Sequence, residues 1–394
     1  MSKILRVRGA TVYKSRDALT YIFNIFTFVG TNPLENRSQR YYSLYYFYSF
    51  TVNFICCLFC PLSFHIGYIK LRHVLTNSQL LAAIQNAVQV SGIPIKILII
   101  TWYMKRLRHA FEILDELDVN YTRREDLAKI RECVRRCRKI VLIFCFPYYS
   151  FELSTIALGV VQNRAPLAAW VPFLDGQRAA WEYWTIVLWD AFVMFILLCH
   201  QLGSDTYPPI FINIIRTHIQ LLITRVNRLG RAGALTADEH YEELLGCIRS
   251  HVQIVSIAKI VAPVISVTLF TQFATTATTL LNWLGNVEYP ENIISLAFFS
   301  CQLLQILPCC SSASQLIADC ERLPDAIFHC NWVDQDRRFR RAILFFLQRT
   351  QNLIRFSCLK LFDVKLETSV AIGKFAFSLY TLLEETKVGT DTEN

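Results

Sequence analysis

The chain has 394 residues, of which 53% are hydrophobic and 18% charged, with a formal net charge of +9 and a mean hydropathy of +0.33. Soluble domains carry about 25% charged residues, so this balance argues against a soluble helical bundle and predicts an all-α membrane protein. The positive charge lies in separated loops rather than on one basic face, which argues against nucleic-acid binding.

The N-terminal segment opens basic, and Leu19–Gly30 is apolar but too short to cross a bilayer. No small-residue cleavage site follows it, so it predicts a helix lying in the membrane interface rather than a signal peptide. Stretches long enough to span follow near Tyr41–Ile69, Leu80–Met104, Ile140–Val161, Trp181–Gly203, Ile260–Leu284, Asn292–Ser314 and Leu366–Leu383. Lys and Arg crowd into alternate gaps. The segment before span one and the gaps 105–139, 216–259 and 322–365 hold 33 of the 40. The other gaps and the tail hold only Lys70, Arg72, Arg164, Arg178 and Lys387. Basic loops stay cytoplasmic. The expectation is seven transmembrane helices with an intracellular N-terminus and an extracellular C-terminus, a multi-pass protein whose membrane lipids touch its basic loops.

Apolar faces continue beyond the spans in Pro208–Leu229, Asp238–Ala258 and Asp334–Cys358. Such faces need something to pack on, which predicts a cytoplasmic helical anchor bundle. Among the outer gaps, only Gln162–Ala180 is long enough for a lid, and Pro166, Trp170 and Pro172 suit an ordered one. Pro94, Pro147, Pro263 and Pro308 lie inside spans, as tolerated kinks or as breaks that open cavities. None of the 14 cysteines falls in an outer loop, so no disulfide is expected.

No catalytic motif is present, which argues against an enzyme and gives no cofactor to expect. His65 and His200 stand alone and suggest no metal site. Lys96, Glu152 and Asp190 fall near mid-span, where charges pair or face water. They predict either a structural polar cluster or the border of a ligand cavity. Tyr148, Tyr149, Phe151, Trp184, Trp189, Phe298 and Phe299 crowd the outer halves of the same helices. They read as an interfacial belt or as an apolar pocket for a small hydrophobic ligand. In the last span Ala371, Lys374, Ser378, Leu382 and Glu385 follow helical spacing. A polar stripe closed by a Leu fits a pore-lining helix with a hydrophobic gate, or a stripe buried against neighbours.

The segment Leu323-Pro324-Asp325-Ala326-Ile327-Phe328-His329-Cys330-Asn331-Trp332 resembles the insect odorant receptor stretch that ends in a Trp after span six. Phe345-Phe346-Leu347-Gln348-Arg349-Thr350-Gln351 is similar to that family's Q-R-S-Q segment, and Phe377-Ser378-Leu379-Tyr380-Thr381-Leu382-Leu383 to its S-x-F-T-L-L ending. Asn352–Leu353 depart from a common Pro, and Phe328 from a common Tyr. The resemblance implies an odorant-gated, non-selective cation channel in the plasma membrane of sensory neuron dendrites. It also implies a heterotetramer with the family's co-receptor and a small volatile odorant as ligand. The co-receptor carries a much longer segment between spans four and five than Arg228–His251, so the chain resembles a ligand-tuning subunit. Ligand-binding positions carried over by region are Val90, Tyr149, Ser150, Ser154, Leu188, Phe192 and Phe298. Ser378, Leu382 and Glu385 are the pore and gate positions.

The expected organisation is a cytoplasmic segment 1–40, spans one to four in 41–207, and anchor helices in 208–259. Spans five and six follow in 260–314, anchor helices in 315–362, the pore-lining span in 363–386 and an extracellular tail in 387–394. A gustatory receptor-type channel is the alternative, although its T-Y and Q-F ending is missing. A G-protein-coupled receptor lacks its D-R-Y and N-P-x-x-Y segments here and contradicts the charge pattern.

Overall fold

The computed structural model describes the backbone of residues 6–7, 10–11, 13–32, 41–73, 77–167, 169–174, 178–230, 236–285, 291–371, 373–374, 378 and 381. It describes the side chains of 13–32, 41–70, 72–73, 80, 83–167, 169–174, 178–230, 236–279, 300–371, 373–374, 378 and 381. A short hairpin of β1 (Arg6–Val7) and β2 (Ala10–Thr11) leads into a 3-10 turn, Ser15–Leu19, and helix α1 (Thr20–Phe28). Helix α2 (Tyr42–Phe54) continues through a π turn, Ile55–Phe59, into α3 (Cys60–Leu71). Pro61 follows at the start of α3. A proline ring cannot sit against the carbonyl four residues back, and the wider π turn relieves that clash. Then come α4 (Asn77–Val119), α5 (Arg124–Val161), α6 (Ala180–Val226), α7 (Ala237–Gly285), α8 (Glu291–Phe328) and α9 (Arg337–Thr350). A second hairpin of β3 (Ser357–Cys358) and β4 (Phe362–Asp363) precedes a last helical stretch over 366–371, with 373–374, 378 and 381 also helical.

Five helices among the described residues are long and apolar enough to cross a membrane: Tyr42–Lys70, Ala83–Val119, Arg124–Val161, Ala180–Val226 and Ala237–Thr279. The two hairpins are additions to the all-α expectation. The second turns at Leu359 and Lys360, both at positive φ (47° and 61°), and the Leu359 N–H donates to Ser266 Oγ at 2.7 Å. Nothing in the residue types announces that turn, because glycine or asparagine would be its usual sign.

Helix α6 is the central post. It runs unbroken through Pro208–Pro209, where the sequence suggested a separation, and every residue from Cys199 to Ile215 is buried. Its polar residues there, among them Gln201, Asp205 and Asn213, are buried with hydrogen-bond partners. The main core forms around its C-terminal half, at the Lys- and Arg-rich end of the molecule. Leu114 of α4, Val134 of α5, Leu222 of α6, Ile254 of α7, Leu316 of α8 and Phe346 of α9 meet there. This end is called the basic end below.

The N-terminal segment is more deeply seated than an interfacial helix. Leu19, Ile22 and Phe26 join the main core, while Tyr21 and Phe28 stay exposed. Phe26 packs over Gly203, where an added Cβ would lie 2.7 Å from its ring. At the end of α1, Gly30 (φ +79°) turns the chain so closely against α2 that a Cβ would sit 2.7 Å from Ser49 Cα. Ser15 donates through its backbone N–H and its hydroxyl to the two oxygens of Asp118, both at 2.7 Å, while Lys14 and Arg16 pair with Asp115. Burial pushes the Asp118 carboxyl up to about 6 against the lowering effect of the Ser15 bonds. His218, 3.1 Å from Ser15 Oγ, is pushed down to about 4 by burial.

Candidate ligand pocket and its polar floor

At the end opposite the basic one, a second apolar cluster lies between α3, α4 and α6. It contains Phe64, Ala87, Val90, Val193 and Leu197, and Leu167 from the loop after α5 closes it. The loop is pinned as a lid. The Trp170 N–H donates to the Ser63 carbonyl at 2.9 Å, and Ser63 Oγ donates back to the Trp170 carbonyl at 2.6 Å. The Leu167 N–H donates to the Asp190 carboxylate. Lys70 Nζ sits 4.7 Å from the centre of the Trp170 ring. Pro166 lies on Gly159, where an added Cβ would come within 2.8 Å of Pro166 Cα.

A buried polar network draws five helices together in the same half of the molecule. Lys96 Nζ of α4 donates to Asp205 Oδ1 of α6 at 2.8 Å and to Gln272 Oε1 of α7 at 2.7 Å. Asp205 Oδ2 accepts from the Tyr148 hydroxyl of α5 at 2.8 Å and from Gln201 Nε2 at 2.7 Å. Gln272 donates to Gln302 of α8 at 2.5 Å, and Gln302 donates to Gln89 of α4 at 3.0 Å. Lys96 and Asp205 are each 3% exposed. A buried pair at this depth persists only where its donors and acceptors are largely met; Lys96 makes two bonds here and both Asp205 oxygens accept, while the buried Gln201 Oε1 keeps no partner. The residue series from Val90 through Ile93 to Lys96 on one helix sets this network beside the apolar cluster as its polar floor.

Lys96 therefore pairs, as mid-span charges do, but with Asp205 and not with Glu152 or Asp190. Each of those two acids keeps one buried carboxylate oxygen without a protein partner. Tyr148 joins the network through its hydroxyl. Val90 lies in the lid-covered cluster. Tyr149 lies on the other side of α6, with its hydroxyl 3.1 Å from Cys199 Sγ and its ring 5.7 Å from that of Phe195. The Ser150 and Ser154 hydroxyls donate to carbonyls of their own helix, Phe146 and Ser150. Leu188 and Phe192 are 69% and 55% exposed, on the face of α6 turned away from Val193 and Leu197. Ser378 is exposed and its hydroxyl donates to the Lys374 carbonyl. The side chain of Phe298, and Leu382 and Glu385 entirely, lie outside the described residues. Asp205, Gln201, Gln272, Gln302 and Leu167 escaped sequence reasoning. A carboxylate just before a double proline was the one available signal.

No group of three or more metal-ligating side chains occurs among the described residues, and none of the 14 cysteines is in a disulfide. Long apolar helices around a buried apolar cluster, floored by a bonded ion pair, define a multi-pass helical membrane protein. The comparisons make the class specific. Residues 76–377 match the family model described as 7tm Odorant receptor. Odorant receptor 42b of Drosophila melanogaster is 31% identical over 379 residues, covering 95% of this chain and 94% of that one. The putative odorant receptor 59c of the same organism is 28% identical, covering 95% and 92%. The solved olfactory receptor OR5 of Machilis hrabei has the same fold, with a TM-score of 0.77 at 18% identity over 93% of this chain and 97% of that one. The same receptor solved in complex with eugenol also gives a TM-score of 0.77, at 17% identity over 94% and 98%. The chain belongs to the insect odorant receptor family, and it is a multi-pass membrane protein and not an enzyme.

Proposed function

We propose that the chain is a ligand-tuning subunit of an odorant-gated, non-selective cation channel in the plasma membrane of a sensory neuron dendrite. The ligand is a small hydrophobic volatile, held in the half of the molecule opposite the basic end. The observation that carries this reading is the apolar cluster around Val90, closed by the Leu167 lid. Such a cluster gains affinity from apolar contact rather than from a salt bridge. The complex of a similarly folded receptor with eugenol supports a ligand of this class. The short segment between α6 and α7 supports assembly with the longer co-receptor in a heterotetramer.

In this reading the basic end faces the cytoplasm, the N-terminus is intracellular and the C-terminus extracellular. Seven helices cross, and the core around α9 serves as the anchor bundle. The last helix lines a shared pore, with Leu382 as the apolar ring and Glu385 beyond it. Asn36-Arg37-Ser38 and Asn120-Tyr121-Thr122 are glycan acceptor sequences that this orientation keeps in the cytoplasm. A glycosidase-sensitive mobility shift, lost in Asn36→Gln or Asn120→Gln, overturns it.

The test of function is voltage clamp with an odorant panel, with and without the co-receptor. Odorant-evoked cation current is expected only in the co-expressed cells. Val90→Ala and Leu167→Ala are expected to reorder the panel at unchanged surface expression. Unchanged concentration–response curves in both variants remove the lid-covered cluster from the pocket.

A further inference from the structure

Helix α5 carries its exposed face in one stripe. Arg131, Arg135 and Lys139 recur at four-residue spacing, and Leu142 and Phe146, 67% and 77% exposed, continue the same face. The stripe changes from cationic to apolar within one turn. Around the cationic part, Ala128, Arg131, Glu132, Arg135, Arg136 and Lys139 line an open groove of about 460 Å³.

The charges in this groove do not cancel. Glu132 is its one carboxylate and is bonded to Arg136 at 2.9 Å. Arg135 and Lys139 have no ion-pair or hydrogen-bond partner among the described residues. Arg138 leans on the Tyr13 and Tyr21 rings at 5.5 and 5.6 Å, and its buried Nε lacks an acceptor. Arg131 stands 5.8 Å from the Tyr13 ring, so Tyr13 lies beside the groove, whose lining comes from α5. A single phosphodiester leaves most of this charge unmet, whereas phosphomonoesters supply nearly two charges each and accept several forked bonds from Arg.

We propose that the groove binds an anionic phospholipid whose headgroup carries phosphomonoesters. Arg131, Arg135 and Lys139 hold the phosphates, and the acyl chains lie along Leu142 and Phe146. The apolar continuation is what selects a lipid over a free phosphate, since a soluble anion has no use for it. The site rests on the proposed cytoplasmic placement of the basic end only for which leaflet supplies the lipid.

The test uses the full-length receptor in phosphatidylcholine nanodiscs carrying a photoreactive phosphatidylinositol 4,5-bisphosphate, with crosslinks mapped by peptide mass spectrometry. Nanodiscs expose both faces and no odorant is involved, so the result is independent of orientation and of channel function. Labelling is expected on residues 128–146 of α5 or on Tyr13 and Tyr21, far above that from a photoreactive phosphatidylcholine. Basic side chains near an anionic surface each contribute several-fold, so Arg131→Gln/Arg135→Gln/Lys139→Gln should lose labelling by roughly 100-fold. Arg249→Gln, at a 71% exposed side chain on α7, should label like the parent. Labelling no greater than phosphatidylcholine, crosslinks confined to other helices, or a triple variant that labels normally overturns the site. Competition by inositol 1,4,5-trisphosphate as strong as by the unlabelled lipid overturns the assignment to a lipid.

Discussion

Neutralising Asp205 tests the polar floor most directly. At 2.8 Å the attraction between Lys96 and Asp205 is about 6 kcal/mol at an effective dielectric constant near 20. Desolvation of both ions offsets most of that gain, so the intact pair adds little net stability. Its loss is asymmetric. Asp205→Asn leaves an ammonium that is 3% exposed with no counter-charge, which costs about 3–5 kcal/mol. Lys96→Met strands the carboxylate in the same way, although Tyr148 and Gln201 still donate to it. The double variant Lys96→Met/Asp205→Asn removes both charges and should recover much of either loss. The exposed Arg249–Glu242 pair at 3.9 Å is the control, because breaking an exposed pair costs less than about 1 kcal/mol. Thermal unfolding of the purified receptor, read by monodisperse elution after heating, gives all four corners of the cycle. A double variant that loses the sum of the single losses, within about 0.5 kcal/mol, refutes the coupling, and with it the view that this pair ties α4 to α6.

Gly203→Val drives a methyl group into the Phe26 ring and should cost about 1–3 kcal/mol by overpacking, seen as increased protease access to the N-terminal segment. The docking of Ser15 predicts two opposed pH effects. Asp118, raised to about 6, contributes stability that is fully present below its unfolded value of 3.8 and is lost as pH rises through 6. His218, lowered to about 4, contributes stability that is present above 6.5 and is lost as pH falls through 4. Each effect is worth roughly 3 kcal/mol at full extent, so they nearly cancel between pH 4 and 6. Relative to the parent, His218→Gln should become more stable on acidification through this window and Asp118→Asn less stable; parallel curves for parent and variants refute the assignment. Leu382→Ala should raise current without odorant and Glu385→Gln should change divalent block; channels silent at rest with parent-like responses move the gate elsewhere.

Five of the seven expected spans, and the order of the Pro- and Trp-containing loop, were legible because they rest on run length, charge alternation and loop composition, which are local properties. The partner of Lys96 was not. Asp205 stands three residues before Pro208, so the sequence suggested a span ending at Gly203 and left Asp205 outside it. A pair of prolines costs a helix two hydrogen bonds, but packing on all sides of α6 outweighs that loss. Gln272, Gln302 and Gln89 sit in apolar runs where an isolated amide looks unremarkable, and only three-dimensional proximity makes them a chain of donors and acceptors. The same limit applies to Leu188 and Phe192. Helical spacing puts them on one face of α6, and it does not say that Val193, Ile196 and Leu197 hold the face toward α4. The depth of α1 depends on Gly203, a residue far away in sequence whose missing side chain makes room for Phe26.

In the proposed channel, the arrangement bears on how a ligand without charge would move a gate. A ligand shifts an equilibrium only by the difference in its affinity for the two states, so in the proposed channel the packing around the apolar cluster must differ between closed and open states. The network beneath the cluster changes stepwise, because a buried donor or acceptor is either paired or costly. Gln302 and Gln272 therefore link the position of α8 to α4 and α7 in discrete steps. Helix α8 is bonded in turn to the start of the last helix, where the Leu366 N–H donates to Ser314 Oγ at 3.0 Å. Ligand that wedges α4 from α6 is resisted by the Lys96–Asp205 bond. If it shifts α8 instead, the first turn of the last helix moves with Ser314. Ser314→Ala removes that bond without adding volume, and a variant that binds odorant normally yet needs more of it to open is the outcome this coupling requires.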